Sequence, residues 1–420
     1  MNLVSRRSVL GGLALMPAAP ALSRAASPAR VSIVGGGFGG ASAARALKAV
    51  RPDLTVTLIT REEVFHTCPF SNGVIGGLWP LDRIAFRHDG LRAAGVEVVH
   101  AEAAGIEPST RSVTLAGGAR IDSDFLVLAP GIQFDWAAIG NLSPETGEKM
   151  PHAWQAGPQT ALLRRQLEAM DDGGLVVVAV PAPPFRCPPG PYERVCLIAH
   201  YLKAAKPKSK ILVLDAQDSF SKQKLFEEAW ENLYPGMVER VPGSMSGRVR
   251  AVDPGTMIVS TDFDDHKTSV ANIIPPQKAA EAALAAGLDG GTGWCAVDPL
   301  TFESKLAKGV YVIGDSSLAG AMPKSGFSAS MQGKVCAAAI MSRIAGIEPV
   351  PTKLINVCYS LAAPEYGFSI ADVFIQKPDG IELVVKDGRT TALGAAQEVL
   401  RREADHARSW YDTLTAELFG

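Results

Sequence analysis

Short runs of apolar and β-branched residues alternate with longer alanine-rich stretches along the first part of the chain. The first run covers residues 30–34 and is followed by a glycine cluster and a helical stretch over residues 41–50. A second run at residues 54–59 closes a strand–helix–strand unit of about thirty residues. The apolar run at residues 125–131 is typical of a buried strand that ends in a tight turn. This alternation predicts an α/β domain with a parallel sheet.

A second unit of the same kind begins near residue 151. Residues 175–180 form a continuous apolar run, residues 192–203 have helical character, and residues 210–215 predict the next strand. The chain therefore predicts two nucleotide-binding-like domains in tandem.

The last part of the chain returns to the pattern of the first domain. Residues 309–315 predict a strand and a turn, and residues 326–345 predict a long helix. We therefore predict an α/β fold of two tandem Rossmann-like dinucleotide-binding domains, the first of them discontinuous, plus a small C-terminal α+β domain. The predicted boundaries are 1–25 for a signal peptide, 26–150 and 291–348 for the two parts of the first domain, 151–290 for the second and 349–420 for the C-terminal domain.

The composition is that of an ordinary globular protein of two or three domains. The chain has 420 residues, of which 47% are hydrophobic and 20% are charged, and its formal net charge is −2. No basic run interleaved with aromatic residues occurs. Because such a run is the electrostatic footprint of nucleic-acid binding, we expect no nucleic-acid partner.

The first residues have the layout of an export signal rather than of a folded domain. The Arg6-Arg7 pair precedes an apolar stretch over residues 9–15, and small residues follow as far as Ala25. The apolar stretch is too short to span a bilayer. We therefore predict a twin-arginine signal peptide over residues 1–25, a periplasmic location and no transmembrane segment in the mature chain.

Three glycines follow the first predicted strand in the spacing of a dinucleotide-binding loop. Gly35 permits a tight turn, Gly37 lets a pyrophosphate approach the backbone, and Gly40 permits close packing of helix on strand. The N-terminus of the next helix supplies N–H donors and a positive dipole. The spacing alone is a weak signal, but the strand before it and the helix and strand after it favour dinucleotide binding.

The end of the second predicted strand departs from this pattern. An acid that binds the ribose hydroxyls is expected there, and Thr60 and Arg61 stand in its place. Either Glu62 or Glu63 reaches the ribose instead, or Thr60 donates a weaker hydrogen bond. This motif leaves the choice between NAD and FAD open.

A Gly314-Asp315 pair at the end of a later strand favours FAD. Its position resembles the second fingerprint of flavoproteins with two dinucleotide-binding domains, in which an Asp binds the ribityl chain. The alternative is that Asp315 only caps the helix that follows. With the glycine loop in the same chain, we predict that Gly314 and Asp315 bind FAD.

The corresponding loop of the second domain, residues 181–191, is rich in prolines. Prolines lack N–H donors, and side chains fill the space in which a pyrophosphate would lie. We therefore predict a domain with a nucleotide-binding outline but no nucleotide. This argues against NADH or NADPH as the electron partner.

Cys187 lies where this loop enters a helix. Pro191 suits the first helical turn, and Glu193 follows it. A cysteine beside a helix N-terminus has its thiolate favoured, which makes it a better nucleophile than a core thiol. Cys187 is therefore a candidate catalytic residue, with a structural role as the alternative. Glu193 is either a base or proton relay, or only an acid that meets the helix dipole.

The remaining cysteines outside the candidate site are interpreted as buried core thiols. They are Cys196, Cys295 and Cys336. No Cys-x-x-Cys pair occurs, so the sequence has neither a zinc ribbon nor a thioredoxin-type pair, and we predict no metal site. No Cys-x-x-Cys-His motif occurs either, so the chain carries no c-type haem of its own.

Several short stretches spread over nearly the whole mature chain carry a family resemblance. They are Thr67-Cys68, residues 71–77 (SNGVIGG), 187–194 (CPPGPYER), 274–277 (IPPQ), 293–295 (GWC), 314–315 (GD), 322–325 (MPKS) and 356–360 (NVCYS). At these residues the chain resembles the flavoprotein subunit of flavocytochrome c sulfide dehydrogenase and its relatives in bacterial sulfur oxidation. The cysteine-containing motifs are specific and are not general flavoprotein features.

The resemblance implies roles for three cysteines. Cys68 would hold the flavin covalently through a thioether to its 8α-methyl group. Cys187 and Cys358 would form a redox disulfide over the pyrimidine side of the flavin. Hydrosulfide would attack this disulfide and leave a persulfide on one cysteine, and the released thiolate would donate electrons to the flavin. The flavin would then pass single electrons to a haem on a separate cytochrome subunit.

The sequence therefore predicts a periplasmic FAD-dependent sulfide:cytochrome c oxidoreductase subunit. A rival hypothesis is a sulfide:quinone oxidoreductase whose terminal segment, residues 410–419, touches a membrane. The charged residues of that segment also fit a solvated helix that packs one face, which is the interpretation we favour. A third hypothesis is a thiol-exchange protein that reactivates a sulfur carrier. The physiological acceptor and the fate of the sulfur stay open.

Overall fold

The architecture rests on two parallel sheets and one long antiparallel sheet. The computed structural model describes residues 28–384 and 390–420. The predicted signal peptide, including its twin arginine, lies outside the described residues. The predicted α/β fold class is confirmed.

The helices and strands of the described residues are named here in chain order. The helices are α1 (Phe38–Val50), α2 (Ser71–Ile75), α3 (Asp89–Ala93), α4 (Pro158–Ala169), α5 (Gly190–Ala205), α6 (Gln223–Leu233), α7 (Glu281–Ala285), α8 (Gly326–Ala345) and α9 (Gln397–Phe419). The strands are β1 (Arg30–Val34), β2 (Thr55–Thr60), β3 (Phe65–His66), β4 (Ala85–Phe86), β5 (Glu97–His100), β6 (Ala103–Glu107), β7 (Ser112–Leu115), β8 (Arg120–Asp122), β9 (Phe125–Leu128), β10 (Ile132–Phe134), β11 (Leu175–Val180), β12 (Lys210–Asp215), β13 (Val238–Val241), β14 (Ala251–Asp253), β15 (Ile258–Ser260), β16 (Asp265–Lys267), β17 (Val270–Ile273), β18 (Gln277–Ala279), β19 (Cys295–Ala296), β20 (Val310–Val312), β21 (Ser317–Leu318), β22 (Lys353–Ala363), β23 (Tyr366–Lys377) and β24 (Gly380–Leu383).

The first sheet has five parallel strands in the order β20-β9-β1-β2-β5. In its centre, Ile33 of β1 pairs with Leu58 of β2 and with Val127 of β9, and all three side chains are fully buried. Burial on both faces is typical of parallel strands that are covered by helices. Because β20 comes from the later part of the chain, the sheet joins two segments that are far apart in sequence.

Residues 309–315 form a shorter strand than the sequence predicts. The strand covers only Val310–Val312, because Gly309 and Gly314 adopt φ angles of 75° and 70° and turn the chain on either side. The chain continues after β20 as a single turn of 3-10 helix. Helix α8, which packs against α1, has the predicted bounds.

The second sheet has four parallel strands in the order β13-β12-β11-β17. Its central strand β11 is buried from Val176 to Val180. Helix α5 leads from β11 to β12, so the loop that contains Cys187 lies at the carboxyl edge of this sheet. Ligands of open α/β folds bind at that edge.

The C-terminal part consists of the antiparallel sheet β22-β23-β24 and the long helix α9. Cys358 lies within β22, opposite Ile370 of β23. Helix α9 packs so closely on β23 that a Cβ on Gly367 would lie 2.5 Å from the amide nitrogen of Ala404. Since β22 also contacts α5, the strand that carries Cys358 meets the helix that follows Cys187.

The apolar residues near the end of α9 pack inside the protein. Tyr411, Leu414, Leu418 and Phe419 are buried, and the ring of Phe419 makes an edge contact with that of Phe38 in α1. This confirms the interpretation of the terminal segment as a helix that packs one face. Within residues 28–384 and 390–420, no helix has both the length and the apolar composition needed to cross a bilayer.

Candidate functional site

The loop between β1 and α1 approaches neighbouring backbone too closely for side chains. Gly35 has a φ of 105°, and a Cβ there would lie 2.2 Å from the carbonyl oxygen of Ala129. A Cβ on Gly40 would lie 1.9 Å from the carbonyl oxygen of Gly35. At Gly37 the nearest atom to a Cβ is in the ring of Phe65, at 3.5 Å. The geometry therefore fits the predicted roles of a tight turn, close helix packing and an open approach.

The end of β2 presents one polar side chain to this loop. Glu62 accepts hydrogen bonds from the Arg61 guanidinium at 2.7 and 3.0 Å. The carboxylate of Glu63 lies 3.8 Å from the guanidinium of Arg87. Thr60 is buried, and its hydroxyl oxygen lies 3.0 Å from the position of a Cβ on Gly36. Of the alternatives that the sequence left open, Thr60 is the one that faces the glycine loop.

Asp315 leaves a buried polar atom unsatisfied. Its Oδ1 atom has no hydrogen-bond partner among the described residues, and its Oδ2 atom lies 3.8 Å from the guanidinium of Arg186. The Nε atom of Arg186 also has no partner in that part of the chain. Burial raises the pKa of Asp315, whereas Arg186 and Lys324 lower it. Buried polar atoms are nearly always paired, so these two atoms indicate a polar ligand.

These features fit FAD. The pyrophosphate would meet the N–H groups at the start of α1, where Gly37 is the last residue before the helix. Asp315 would bind the ribityl chain, beside a pocket that Gly314 and Lys324 also line. Thr60 would lie on the ribose side of the glycine loop.

Cys187 is held by a turn at the carboxyl edge of the second sheet. Its φ is 56°, its N–H donates to the carbonyl oxygen of Lys324 at 2.7 Å, and its carbonyl oxygen accepts from the Gly190 N–H at 2.8 Å. A left-handed backbone is unfavourable for a residue with a side chain, so the surrounding bonds impose this conformation. A Cβ on Gly190 would lie 2.9 Å from the Cys187 Sγ atom. Pro191 is in the first turn of α5, as predicted.

The electrostatic surroundings of Cys187 differ from the prediction. Burial raises the pKa of the Cys187 thiol, and Cys358 and Glu193 raise it further. Cys68 acts in the same direction, and Lys222 opposes it. The neutral thiol is therefore favoured in the reduced protein, and the expectation of a stabilised thiolate is wrong. Because Cys358, Glu193, Cys68 and Lys222 all affect the pKa of the Cys187 thiol, these side chains form one cluster with it.

Cys358 reaches this cluster from β22. Its Sγ atom accepts a hydrogen bond from Asn356 Nδ2 at 3.2 Å, and its carbonyl oxygen accepts one from Lys222 Nζ at 2.8 Å. Burial raises the pKa of the Cys358 thiol, whereas Lys222 and Asn356 lower it. All six cysteines of the chain lie within the described residues, and all six are free thiols. The influence of Cys358 on the pKa of Cys187 indicates that the two side chains lie in the same cluster.

Glu193 links the two elements that carry these cysteines. It lies in the first turn of α5, and its carboxylate accepts hydrogen bonds from Asn72 Nδ2 at 2.7 Å and from the Leu361 N–H of β22 at 2.9 Å. Burial raises the pKa of Glu193, whereas Leu361 and Asn72 lower it. A carboxyl group whose pKa is raised by desolvation holds a proton more readily than an exposed one. The position of Glu193 therefore fits both alternatives, a base or proton relay and an acid that only meets the helix dipole.

Cys68 joins the cluster from the first domain. Its Sγ atom lies 3.6 Å from the carbonyl oxygen of Trp154, and Trp154 Nε1 donates to the carbonyl oxygen of Arg186 at 3.1 Å. The Cys68 sulfur also interacts electrostatically with Arg186 and Cys187. The structure therefore brings Cys68, Cys187, Cys358 and Glu193 together.

The remaining cysteines lie in the packed core, as predicted. Cys196, Cys295 and Cys336 are fully buried, and burial raises the pKa of each thiol. Cys196 also accepts a hydrogen bond from Trp230 Nε1 at 3.2 Å.

The sequence predicts no functional role for five residues around the cluster: Asn72, Trp154, Arg186, Arg194 and Lys222. Asn72 and Arg194 belong to stretches that carry the family resemblance, so a signal for them was present. Arg186 directly precedes one of those stretches. Lys222 stands in a loop without a motif, and only the fold places its ammonium group beside Cys358.

The second domain fills its own nucleotide position with protein side chains. Asp215 ends β12, where an acid would bind a ribose, and it is fully buried. Its carboxylate accepts hydrogen bonds from the Tyr192 hydroxyl at 2.7 Å and from Arg240 Nε at 2.8 Å. Phe185 of the proline-rich loop is buried as well. The carboxylate of Asp215 is therefore already paired with protein side chains.

Three family models match successive parts of the chain. Residues 29–152 match pyridine nucleotide-disulphide oxidoreductase. Residues 160–275 match the central region of the sulfide dehydrogenase [flavocytochrome c] flavoprotein chain, and residues 350–419 match the flavin-binding region of flavocytochrome c sulphide dehydrogenase. The second match contains Cys187, and the third contains Cys358.

Two individual relatives share parts of the sequence. The chain is 56% identical to the sulfide dehydrogenase [flavocytochrome c] flavoprotein chain of Chlorobaculum thiosulfatiphilum over 45 residues, which are 11% of this chain and 94% of that sequence. It is 29% identical to the sulfide-quinone reductase of Aquifex aeolicus (strain VF5) over 173 residues, which are 41% of this chain and 38% of that enzyme.

Solved structures share the fold at low sequence identity. The sulfide:quinone oxidoreductase from Aquifex aeolicus superposes with a TM-score of 0.69 at 17% identity, covering 93% of this chain and 92% of that chain. A NAD-dependent persulfide reductase from A. fulgidus superposes with a TM-score of 0.60 at 15% identity, covering 90% of this chain and 77% of that chain.

Proposed function

The chain belongs to the family of the flavocytochrome c sulfide dehydrogenase flavoprotein chain, and on this premise we propose that it is an exported enzyme that passes electrons from hydrosulfide through FAD to a c-type cytochrome. Membership of the family makes it a flavoprotein oxidoreductase acting on sulfide. The observation that carries the finer proposal is the meeting of Cys187, Cys358 and Glu193 in one partly buried cluster. Arg186 connects this cluster to Asp315. Export is supported by the twin arginine near the N-terminus.

In the proposed reaction the oxidised protein contains a Cys187–Cys358 disulfide. Hydrosulfide forms a bond to one sulfur while the disulfide bond breaks, which leaves a persulfide on that cysteine and a thiolate on the other. Glu193 receives the proton of the persulfide group and returns it to solvent. FAD, when bound, supplies an acceptor for the two electrons that sulfide loses.

The cluster has the charge that an anionic substrate requires. Three cationic side chains, Arg186, Arg194 and Lys222, interact electrostatically with its thiols. These cations outnumber the carboxylates beside them, Glu193 and Asp315, and an excess of positive charge in a cleft raises the local concentration of a small anion. Hydrosulfide is therefore favoured over a neutral thiol as the substrate.

Two acceptors have support from specific observations. A c-type cytochrome on a separate subunit is favoured, because two family models and the 56% identical relative are named for flavocytochrome c. Quinone is the second candidate, supported by the sulfide-quinone reductase that is 29% identical over 173 residues.

We expect sulfide, and not NADH, to bleach the flavin of the purified holoenzyme under anaerobic conditions. NADH should fail because the loop at residues 181–191 and the occupied Asp215 leave no place for a pyrophosphate and a ribose. The sulfide-reduced enzyme should then reduce a c-type cytochrome, followed by its haem absorbance, faster than it reduces a soluble quinone analogue. Rapid bleaching by NADH, or turnover with the quinone alone, would overturn this assignment.

We also expect Cys68 to hold FAD covalently. The proposal is supported by the place of Cys68 beside Trp154 and Arg186 in the cluster. Acid precipitation should leave the yellow colour in the pellet of the wild-type protein, and Cys68→Ser should release it to the supernatant. Cys295→Ser, which changes a fully buried core cysteine, should keep the colour in the pellet. Complete release of FAD from the wild type would show that the assignment is wrong.

A further inference from the structure

Lys222 is a buried lysine that contacts the strand of Cys358. It has a left-handed backbone with a φ of 63°, and only 9% of its surface is exposed. Its Nζ atom donates to the carbonyl oxygen of Cys358 at 2.8 Å and to the Ser360 hydroxyl at 2.7 Å. The rings of Phe226 and Phe368 lie 6.0 and 5.4 Å from the same atom. These contacts hold the end of the side chain against the strand segment that carries Cys358.

The two cysteines of the cluster have unequal neighbours. Burial raises the pKa of the Cys358 thiol, but the ammonium of Lys222 and the N–H of Asn356 both oppose that effect. At Cys187 burial again raises the pKa, Cys358 adds to it, and Lys222 has the smallest influence. Glu193 raises the pKa of both thiols, so it does not distinguish them. The hydrogen bond from Asn356 to the Cys358 sulfur and the ammonium of Lys222 at the Cys358 backbone therefore favour negative charge on Cys358.

The charge of Lys222 depends on the same groups. Burial lowers the pKa of Lys222, whereas Cys358, Glu193 and Cys187 raise it, with Cys358 the strongest of the three. Asp372 opposes a thiolate at Cys358, but its influence is smaller than that of Lys222. A thiolate at Cys358 and an ammonium group at Lys222 thus stabilise each other.

We propose that Lys222 is a positioning residue that makes Cys358 the leaving sulfur when hydrosulfide attacks the disulfide. In this step hydrosulfide forms a bond to the Sγ atom of Cys187, the bond between Cys187 and Cys358 breaks, and its electron pair stays on Cys358 as a thiolate. A less basic thiol leaves faster in such an exchange. The persulfide is therefore built on Cys187. The inference rests on the proposed function and assigns a direction to its central step.

A role in stability alone would have a different signature. Lys222 ties the loop before α6 to β22, so its loss could loosen the fold without changing the chemistry. The test therefore compares Lys222→Met with Lys222→Arg, which keeps the charge, and with Lys206→Met. Lys206 is a matched control, because its Nζ atom binds the carbonyl oxygens of Glu168 and Met170 at 3.0 and 2.5 Å at the other end of α5.

The first measurement is anaerobic reduction of the flavin by sulfide in each holoenzyme, followed by stopped flow. An opposite charge nearby changes the basicity of a group by about one to three powers of ten, and the rate of thiol exchange responds to about half of such a change on a logarithmic scale. Lys222→Met should therefore slow the reduction about 3- to 30-fold. Lys222→Arg should stay within about twofold of the wild type, and Lys206→Met should be unchanged. A wild-type rate in Lys222→Met would overturn the inference.

The second measurement does not depend on sulfide. In the Cys187→Ser holoenzyme, mass spectrometry follows the alkylation of Cys358 by iodoacetamide, which reacts with the thiolate. Adding Lys222→Met should slow this alkylation about tenfold at neutral pH, and an unchanged rate would overturn the inference. If sulfide fails to reduce wild-type flavin, the proposed function is wrong, and the alkylation rates still decide whether Lys222 acts on Cys358. Lys222→Gln replaces Lys222→Met in both measurements if the latter does not fold.

Discussion

Replacement of either Cys187 or Cys358 by serine should abolish the reduction of flavin by sulfide while FAD remains bound. A serine hydroxyl cannot form or exchange a disulfide, so the path from hydrosulfide to the flavin is lost. We expect the reduction to slow by a factor on the order of 10³ or more. FAD should stay bound because the glycine loop and Asp315 are unchanged. Stopped-flow bleaching and the FAD content of the same samples measure the two effects.

Cys196→Ser is the matched control for these variants. Cys196 is fully buried on the helix that follows Cys187, and a serine there can still accept the hydrogen bond from Trp230 Nε1. This variant should retain most of its reactivity with sulfide. Peptide maps of the oxidised wild type without reductant should contain the Cys187 and Cys358 peptides joined. Full reactivity with sulfide in the Cys358→Ser protein would show that the proposed disulfide mechanism is wrong.

Arg194→Met should lower the free energy of unfolding by about 3–5 kcal/mol, because it leaves several buried hydrogen-bond acceptors without a donor, each at a cost of about 1–3 kcal/mol. Arg194 is 1% exposed. Its guanidinium donates four hydrogen bonds within the protein, to the side chains of Asn72 and Asn272 and the carbonyl oxygens of His152 and Ala153. Methionine has a similar length but leaves these buried acceptors unpaired. Chemical denaturation of the holoenzyme measures the loss.

Arg164→Met is the control for that substitution. The Arg164 side chain is 20% exposed, pairs with Glu168 at 2.7 Å and lies over the ring of Tyr201. An ion pair at the surface contributes at most about 1 kcal/mol, so this variant should lose far less stability. Equal losses in the two proteins would contradict the role assigned to the Arg194 network.

The frame of the fold could be predicted from local patterns. The strand at residues 175–180 and the helix at residues 326–345 have the predicted bounds, because continuous apolar runs and the residues that flank them specify local structure. The glycine loop from Gly35 to Gly40 was predicted for the same reason, since its spacing and backbone requirements are local. The roles of Cys68 and Cys358 were predicted only from the family resemblance, because neither residue has a local pattern of its own.

The surroundings of the cysteines could not be predicted in this way. The helix N-terminus beside Cys187 indicated a stabilised thiolate, but desolvation by residues from other elements raises the pKa of its thiol instead. Lys222 has no motif, and its ammonium group reaches Cys358 only because the loop before α6 lies against β22.

The sequence by itself therefore determined the two dinucleotide-binding units, the residues suited to hold FAD and the types of residue available for sulfur chemistry. These follow from periodicity and spacing over a few residues, which the chain carries locally. The tertiary structure decided which cysteines meet, which cation lies beside them and which protonation state each group favours. Distance and desolvation depend on the packing of elements that are remote along the chain, such as α5 and β22, and no local pattern contains that information.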